Sequence, residues 1–237
     1  LPWGRRTAVA CGLIAVLLVV TPIGLAALAW NGAVALGLLG LSLFLRGASR
    51  LDDGETRSGT WHLRAAGAVV GVTLLFRPDL VVALGLAAVA LLWGRWRQEI
   101  VVPAAVGGAV GLAPFLVHLA TAGVGNVVRG MFLQPVFDLR GGRHLPIPPS
   151  WDELDGALQK VAQLRVPDWP VPMLDPSQQV TIWFLALPVA AAVVLGTGIV
   201  AWRRDADRRS RVLLVVGAFG AGLLPQAVQR PDTTHLA

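Results

Sequence analysis

The feature that most constrains this chain is a series of long apolar runs with almost no charge inside them. Hydrocarbon offers no water to backbone N–H and C=O groups, so a segment in a membrane must satisfy them internally. Long runs without apolar–polar alternation therefore read as helices. Crossing about 30 Å of hydrocarbon takes roughly 20 helical residues, with a range of about 17–25. Seven segments are candidates: 8–30, 33–45, 62–76, 80–94, 100–120, 179–201 and 212–229. The second and third are short and suit a re-entrant, tilted or half-buried course. Arg64 is the one charge that intrudes, near the start of the third. Pro22, Pro103, Pro114, Pro188 and Pro225 predict kinks, which membrane helices tolerate when neighbours satisfy the freed carbonyls. The expected fold is all-α: a polytopic transmembrane helix bundle of about seven membrane segments with one long external loop.

Composition agrees. Hydrophobic residues make up 55% and charged residues 14% of the 237, and mean hydropathy is +0.65. Soluble globular chains carry about 25% charged residues, so this one lacks the polar surface to cover a water-soluble globule. Disorder, a collagen repeat and a disulfide scaffold are excluded, since apolar content is high, glycine has no three-residue period and Cys11 is the only cysteine. A net charge of +6 and a pI near 11.3 do not indicate nucleic acid, because the arginines form short clusters between apolar runs. The chain starts at Leu1 and stops at Ala237 without a polar tail. The run from Thr7 to Trp30 is too long for a signal peptide, and more apolar segments follow it. The expectation is an internal fragment of a larger membrane protein.

Arginine placement predicts orientation. Thirteen basic residues fall on one side, in the groups Arg5–Arg6, Arg46–Arg64, Arg95–Arg97 and Arg203–Arg211. Seven fall on the other, spread over a longer stretch. The first side is expected to be cytoplasmic and 121–178 external. All nine tryptophans sit at segment ends or in loops, as an interfacial belt requires. Three regions follow: transmembrane helices over 1–133, ending in an interfacial helix at 121–133; a proline-rich external loop over 134–178; and transmembrane helices over 179–237. Within the loop, Ser150-Trp151-Asp152-Glu153 makes a capping box for a short amphipathic helix reaching about Leu164.

Polar chemistry gathers on the outer side. Arg77-Pro78-Asp79 lies where the third segment meets the fourth, and Arg230-Pro231-Asp232, with His235, follows the seventh. An arginine there can pair bidentately with phosphate, and a neighbouring carboxylate can orient it or accept a proton. The plainer alternative is an interface anchor whose side chain reaches for water. Arg140, Arg143 and His144 could meet a phosphate or sugar, or simply be solvated. His118 is read as a packing residue, and the Arg203–Arg211 cluster as a topology signal with a contact to anionic lipid. No phosphate-cradling glycine loop, metal-spaced Cys or His pair, nucleophile elbow or zinc-protease motif is present, so no cofactor or metal is expected.

Leu74-Leu75-Phe76-Arg77-Pro78-Asp79-Leu80, the stretch Phe137 to Pro149, and Gln229-Arg230-Pro231-Asp232-Thr233-Thr234-His235-Leu236 resemble the GT-C superfamily of membrane glycosyltransferases, in their later portion. The resemblance implies transfer of a sugar from a polyprenyl-phosphate donor to an acceptor hydroxyl at the outer face of a bacterial inner membrane. Arg77, Asp79, Arg230, Asp232, His235, Arg140, Arg143 and His144 would line the substrate cavity. The family's essential aspartate follows its first helix; the loop after 8–30 is only Asn31-Gly32, so that aspartate is expected outside this chain and no catalytic residue is assigned. Expected partners are the lipid-linked donor and membrane lipid, with no nucleic acid. Two other classes compete: a non-enzymatic assembly scaffold, and a transporter or flippase half, which would need polar or broken helices near the midplane.

Overall fold

Glycine decides how these helices meet. In the computed structural model, which describes residues 3–15, 28–94, 96–130, 133–134 and 176–229, every regular element is helical and no strand occurs among the described residues. The chain divides into two compact units, one of Leu1–Leu28 with His144–Ala237 and one of Ala29–Arg143.

In the second unit, α1 and the segment after it aside, the first long helix is α2 (Leu28–Asp52), since α1 (Gly4–Ala15) belongs to the other unit. Helix α2 turns back into α3 (Thr56–Phe76) through Asp53, Gly54 and Glu55. Gly54 sits at φ +84°, a left-handed position that favours glycine. Its N–H donates to Leu51 O, and the Glu55 N–H donates to Arg50 O, so the helix closes on its own carbonyls. The two helices touch through small residues. A methyl group added at Gly40 would meet Val70, and one at Gly47 would meet Leu63 and the Gly59 carbonyl.

A one-turn 3₁₀ helix, Pro78–Leu80, links α3 to α4 (Val81–Leu92), and α5 (Gln98–Leu112) follows. Helices α3 and α5 run parallel in backbone contact. A Cβ at Gly67 would strike Ala104 O, one at Gly107 would strike Arg64 O, and one at Gly111 would strike Ala68 O. Gly67 and Gly71 on α3 thus face Gly107, Gly108 and Gly111 on α5. This four-residue spacing of glycines lets membrane helices pack backbone to backbone. Larger residues fill the rest: Leu63 and Ile100 are buried with Ala48, and Phe44, Leu51 and Leu92 pack against them.

The outside inverts the pattern of a soluble bundle. Val102, Val106 and Val110 form a row four residues apart on α5, exposed at 55%, 48% and 65%, opposite the buried Gly107 and Gly111. Small residues inside and large apolar residues outside suit lipid rather than water.

The first unit contains α1, which starts at Gly4 after Trp3, and a hairpin of α8 (Pro176–Arg204) and α9 (Arg208–Gln229). Here too glycine sets the distance: a Cβ at Gly198 would meet the Leu213–Leu214 backbone, and one at Gly217 would meet that of Leu195. Leu185, Val189 and Val193 make another exposed row on α8.

Beyond α5, the chain bends by 46° at Ala113 into α6 (Pro114–Ala122). Gly123, at φ +80°, then starts α7 (Val124–Val128). The sequence predicted one helix over 100–120 and an interfacial helix over 121–133. Pro114 cannot donate to the ladder, so the first breaks there. The second is five helical residues with Val127 buried, passing into π-type turns at 129–130 and 133–134.

The count of about seven spans requires correction. Among the described residues, two helices are long and apolar enough to cross a membrane, Gly32–Asp52 and Leu185–Arg204, or three if the bent pair Gln98–Leu112 and Pro114–Ala122 counts as one span. The apolar run at 80–94 yields the short helix Pro78–Leu92, about 22 Å at 1.5 Å per residue. Helix α3 carries Arg57, His62 and Arg64 in its first turns, and α9 starts with Arg208, Arg209 and Arg211. The kink expected at Pro114 is the 46° bend observed, whereas an apolar count does not register the polar first turns of α3 and α9. Residues 16–27, most of the first candidate, lie outside the described residues, as do the capping box and its amphipathic helix.

Gly67→Ala should destabilise the protein by about 1–3 kcal/mol, the usual cost of overpacking against backbone. Gly85→Ala, whose added methyl group meets open space, should be neutral or stabilising by up to about 1 kcal/mol, since alanine is the better helix former. Thermal unfolding in neutral detergent, followed by circular dichroism, checks both. Equal stability of Gly67→Ala and the parent protein would contradict the seam.

Candidate functional site

Arg77 is where α3 stops. Its φ of −144° and ψ of 85° leave the helical region, as expected for a residue before proline, and its N–H still donates to Thr73 O at 2.9 Å. Pro78 takes the first position of the 3₁₀ turn, where a missing N–H costs little. This turn folds Asp79 back onto Arg77. Arg77 Nε donates to Asp79 Oδ1 at 3.0 Å, and Nη2 donates to Oδ2 at 2.6 Å, a two-pronged guanidinium–carboxylate pair. The side chains keep 30% and 39% of their exposure, so the pair sits at a surface. Leu80, fully buried, anchors the turn from below.

The opposite end of the same unit is crowded with charge. Arg50 Nη1 donates to Glu55 at 2.8 Å and to Ser58 at 2.6 Å, while Arg97 reaches Asp52 across the two connections at 3.4 Å. Arg64, the intruder in the third apolar run, lies 5.6 Å from the Trp61 ring, one turn nearer that end. Trp61, Trp93 and Trp96 are all exposed there. The unit is therefore polarised, with arginines and tryptophans at one end and the Arg77–Asp79 pair at the other.

Of the site residues expected from sequence, Arg77 and Asp79 are brought together. Arg230, Asp232, His235, Arg140, Arg143 and His144 lie outside the described residues. His118 is exposed, with its ring 5.9 Å from that of Phe115. Among the described residues, no group of three or more His, Cys, Asp or Glu side chains is placed to hold a metal ion.

A second polar centre was not foreseen as a site. It lies at the α8–α9 turn. Asp207 caps α9, accepting the Ser210 N–H at 2.8 Å, and Ser210 Oγ donates back to the Asp205 and Asp207 carbonyls, both at 2.9 Å. The Ser210 N–H bond, followed by the nearby Ser210 hydroxyl, holds the Asp207 carboxyl below the ordinary aspartate range. Arg211, only 5% exposed, lies 4.3 Å from the Trp202 ring. Beside this turn is an open groove of about 570 Å³, lined by Trp3, Val200, Ala201, Arg204, Arg209 and Leu213, among others. The sequence signal was available: an aspartate three residues before a serine at the start of an apolar run is a capping pattern.

No protein-family model matches the sequence, and no curated protein or solved structure matches it.

Two measurements follow from this geometry. A double-mutant cycle with Arg77→Ala and Asp79→Ala should return a coupling of no more than about 1 kcal/mol, because water screens a pair this exposed. Asp207→Ala should lower the unfolding temperature at neutral pH. The native cap is complete above the ordinary aspartate pKa of about 3.9 and is lost as pH falls through the depressed folded value, so the gap between parent and variant should close below about pH 4. A gap unchanged down to pH 3 would remove Asp207 from the cap.

Proposed function

We propose that this chain is part of an integral membrane glycosyltransferase of the GT-C kind, using a polyprenyl-phosphate sugar at the outer face of the membrane. The observation that carries the reading is the Arg77–Asp79 pair, held at a helix end opposite the arginine- and tryptophan-rich end of its unit. The positive-inside tendency assigns the Arg50–Arg97 end to the cytoplasm, which leaves Arg77 at the outer headgroup level. An external course for 121–178 belongs to the same reading.

The chemistry would be inverting transfer. An acceptor hydroxyl attacks the anomeric carbon, the bond to the lipid phosphate breaks, and the hydroxyl proton passes to a base outside this chain. Arg77, oriented by Asp79, would meet the charge growing on the departing phosphate. Arg230, Asp232, His235, Arg140, Arg143 and His144 would complete the cavity. A well-placed donor of this kind contributes about 10²–10³ in rate.

A second reading, a membrane assembly scaffold, is favoured by the same pair seen differently: Asp79 already engages the Arg77 fork on two nitrogens. One experiment separates them. In vesicles carrying the full-length protein and a panel of polyprenyl-phosphate sugars, Arg77→Ala should cut transfer by about tenfold or more, with Arg77→Lys intermediate and membrane insertion unchanged. Unchanged transfer in Arg77→Ala takes Arg77 out of the site. No transfer by the parent protein from any donor leaves the scaffold reading.

A further inference from the structure

The groove beside the α8–α9 turn plays no part in the reading above. Its walls are of two kinds. Trp3, Val200 and Ala201 give it apolar surface, while Arg204 and Arg209 line it together with Asp205 and Asp207. We propose that this groove binds the phosphate of an anionic phospholipid headgroup, with the start of the acyl region against the apolar wall. Three observations lead there. The helix Leu185–Arg204 has a mean hydropathy of 2.1 and ends at Arg203 and Arg204, so the groove sits where its apolar surface gives way to charge. Trp3 and Trp202 lie at the same level, one lining the groove and the other stacked on Arg211. Between 203 and 211 the chain carries five arginines against two aspartates, and Asp207 is engaged in capping α9. Planar guanidinium groups recognise phosphate oxygens in pairs, and arginines at a membrane surface attract anionic lipid. The α9 backbone amide at Ser210 is already taken by Asp207, so recognition falls to the side chains.

The test uses the full chain in neutral detergent micelles, titrated calorimetrically with short-chain phosphatidylglycerol, short-chain phosphatidylcholine or inorganic phosphate. Phosphatidylglycerol should bind about tenfold tighter than phosphatidylcholine, and Arg204→Gln with Arg209→Gln should erase most of that preference. Arg203→Gln with Arg208→Gln removes the same charge from outside the groove and should change the preference by less than about threefold. Ala201→Phe, which fills the groove without touching charge, should abolish the preference as well; it decides the matter if the double arginine variant fails to fold by circular dichroism. Millimolar phosphate that displaces phosphatidylglycerol would assign the same phosphate chemistry to a soluble source, and failure to displace it assigns the lipid. Equal affinity for the two lipids, or equal loss in the two double variants, would overturn the proposal, the latter by showing diffuse attraction to a basic surface.

Discussion

Everything in the second unit depends on how closely α3 and α5 approach each other. At Gly67, Gly107 and Gly111 there is no room for even one methyl group before the neighbouring backbone is struck. Such contact gives many short dispersion contacts and needs no hydrophobic driving force, which lipid would not supply. It also fixes the parallel register, because Gly67 must meet Ala104 and Gly108, and Gly71 must meet Gly108 and Gly111. Once α3 is set against α5, the end of α3 is set too. Arg77 and its turn are then held by buried Leu80 below and by the helix behind.

That dependence explains which parts could be read in the sequence. Helix type was legible throughout, because apolar runs without alternation admit little else. The high glycine content read as close packing, and the seams of α3 with α5 and of α8 with α9 are where it is used. The helix end at Arg77 was legible because Pro78 forces it. The number of spans was not. Hydropathy sums residues over a window, whereas a break needs only one residue: Pro114 bends the fifth run, and Pro78 and the turn at Trp93 cut the fourth to a short helix. Whether Arg77 and Asp79 would pair was also hidden, since their spacing of two residues suits pairing only in the tight turn that Pro78 starts. The cap at Asp207 is present in the sequence as an aspartate three residues before Ser210, set among arginines whose clustering is also a topology signal.

The charged residues follow one tendency in both units. Several stand at helix ends and are engaged by neighbouring side chains: Arg50 by Glu55 and Ser58, Arg97 by Asp52, Arg77 by Asp79, Arg211 by Trp202. Local pairing lowers the cost of holding a guanidinium near hydrocarbon, where an isolated charge is expensive. The bodies of the helices then need no polar partner and pack through glycine, alanine and leucine.

This separation bears on the kind of chemistry such a chain can support. A transporter needs polar groups or unwound helix at mid-depth. The bend at Ala113–Pro114 inside the α5–α6 pair has only apolar residues beside it, while the helix breaks at Arg77 and Gly123 and the charges at the α8–α9 turn lie at ends of apolar helices. Chemistry confined to such rims acts on molecules that themselves straddle the interface, with a polar head and an apolar tail. A lipid-linked phosphate is a molecule of that form, and Arg77 at one rim and Arg204 at another offer it the same guanidinium group in different settings. At Arg77, Asp79 engages the guanidinium on two nitrogens and holds it in one orientation, which in the proposed transfer suits a charge that develops and then departs. At Arg204, Trp3 and Ala201 share the groove wall with Asp205 and Asp207, and the proposed headgroup would rest there against an apolar surface.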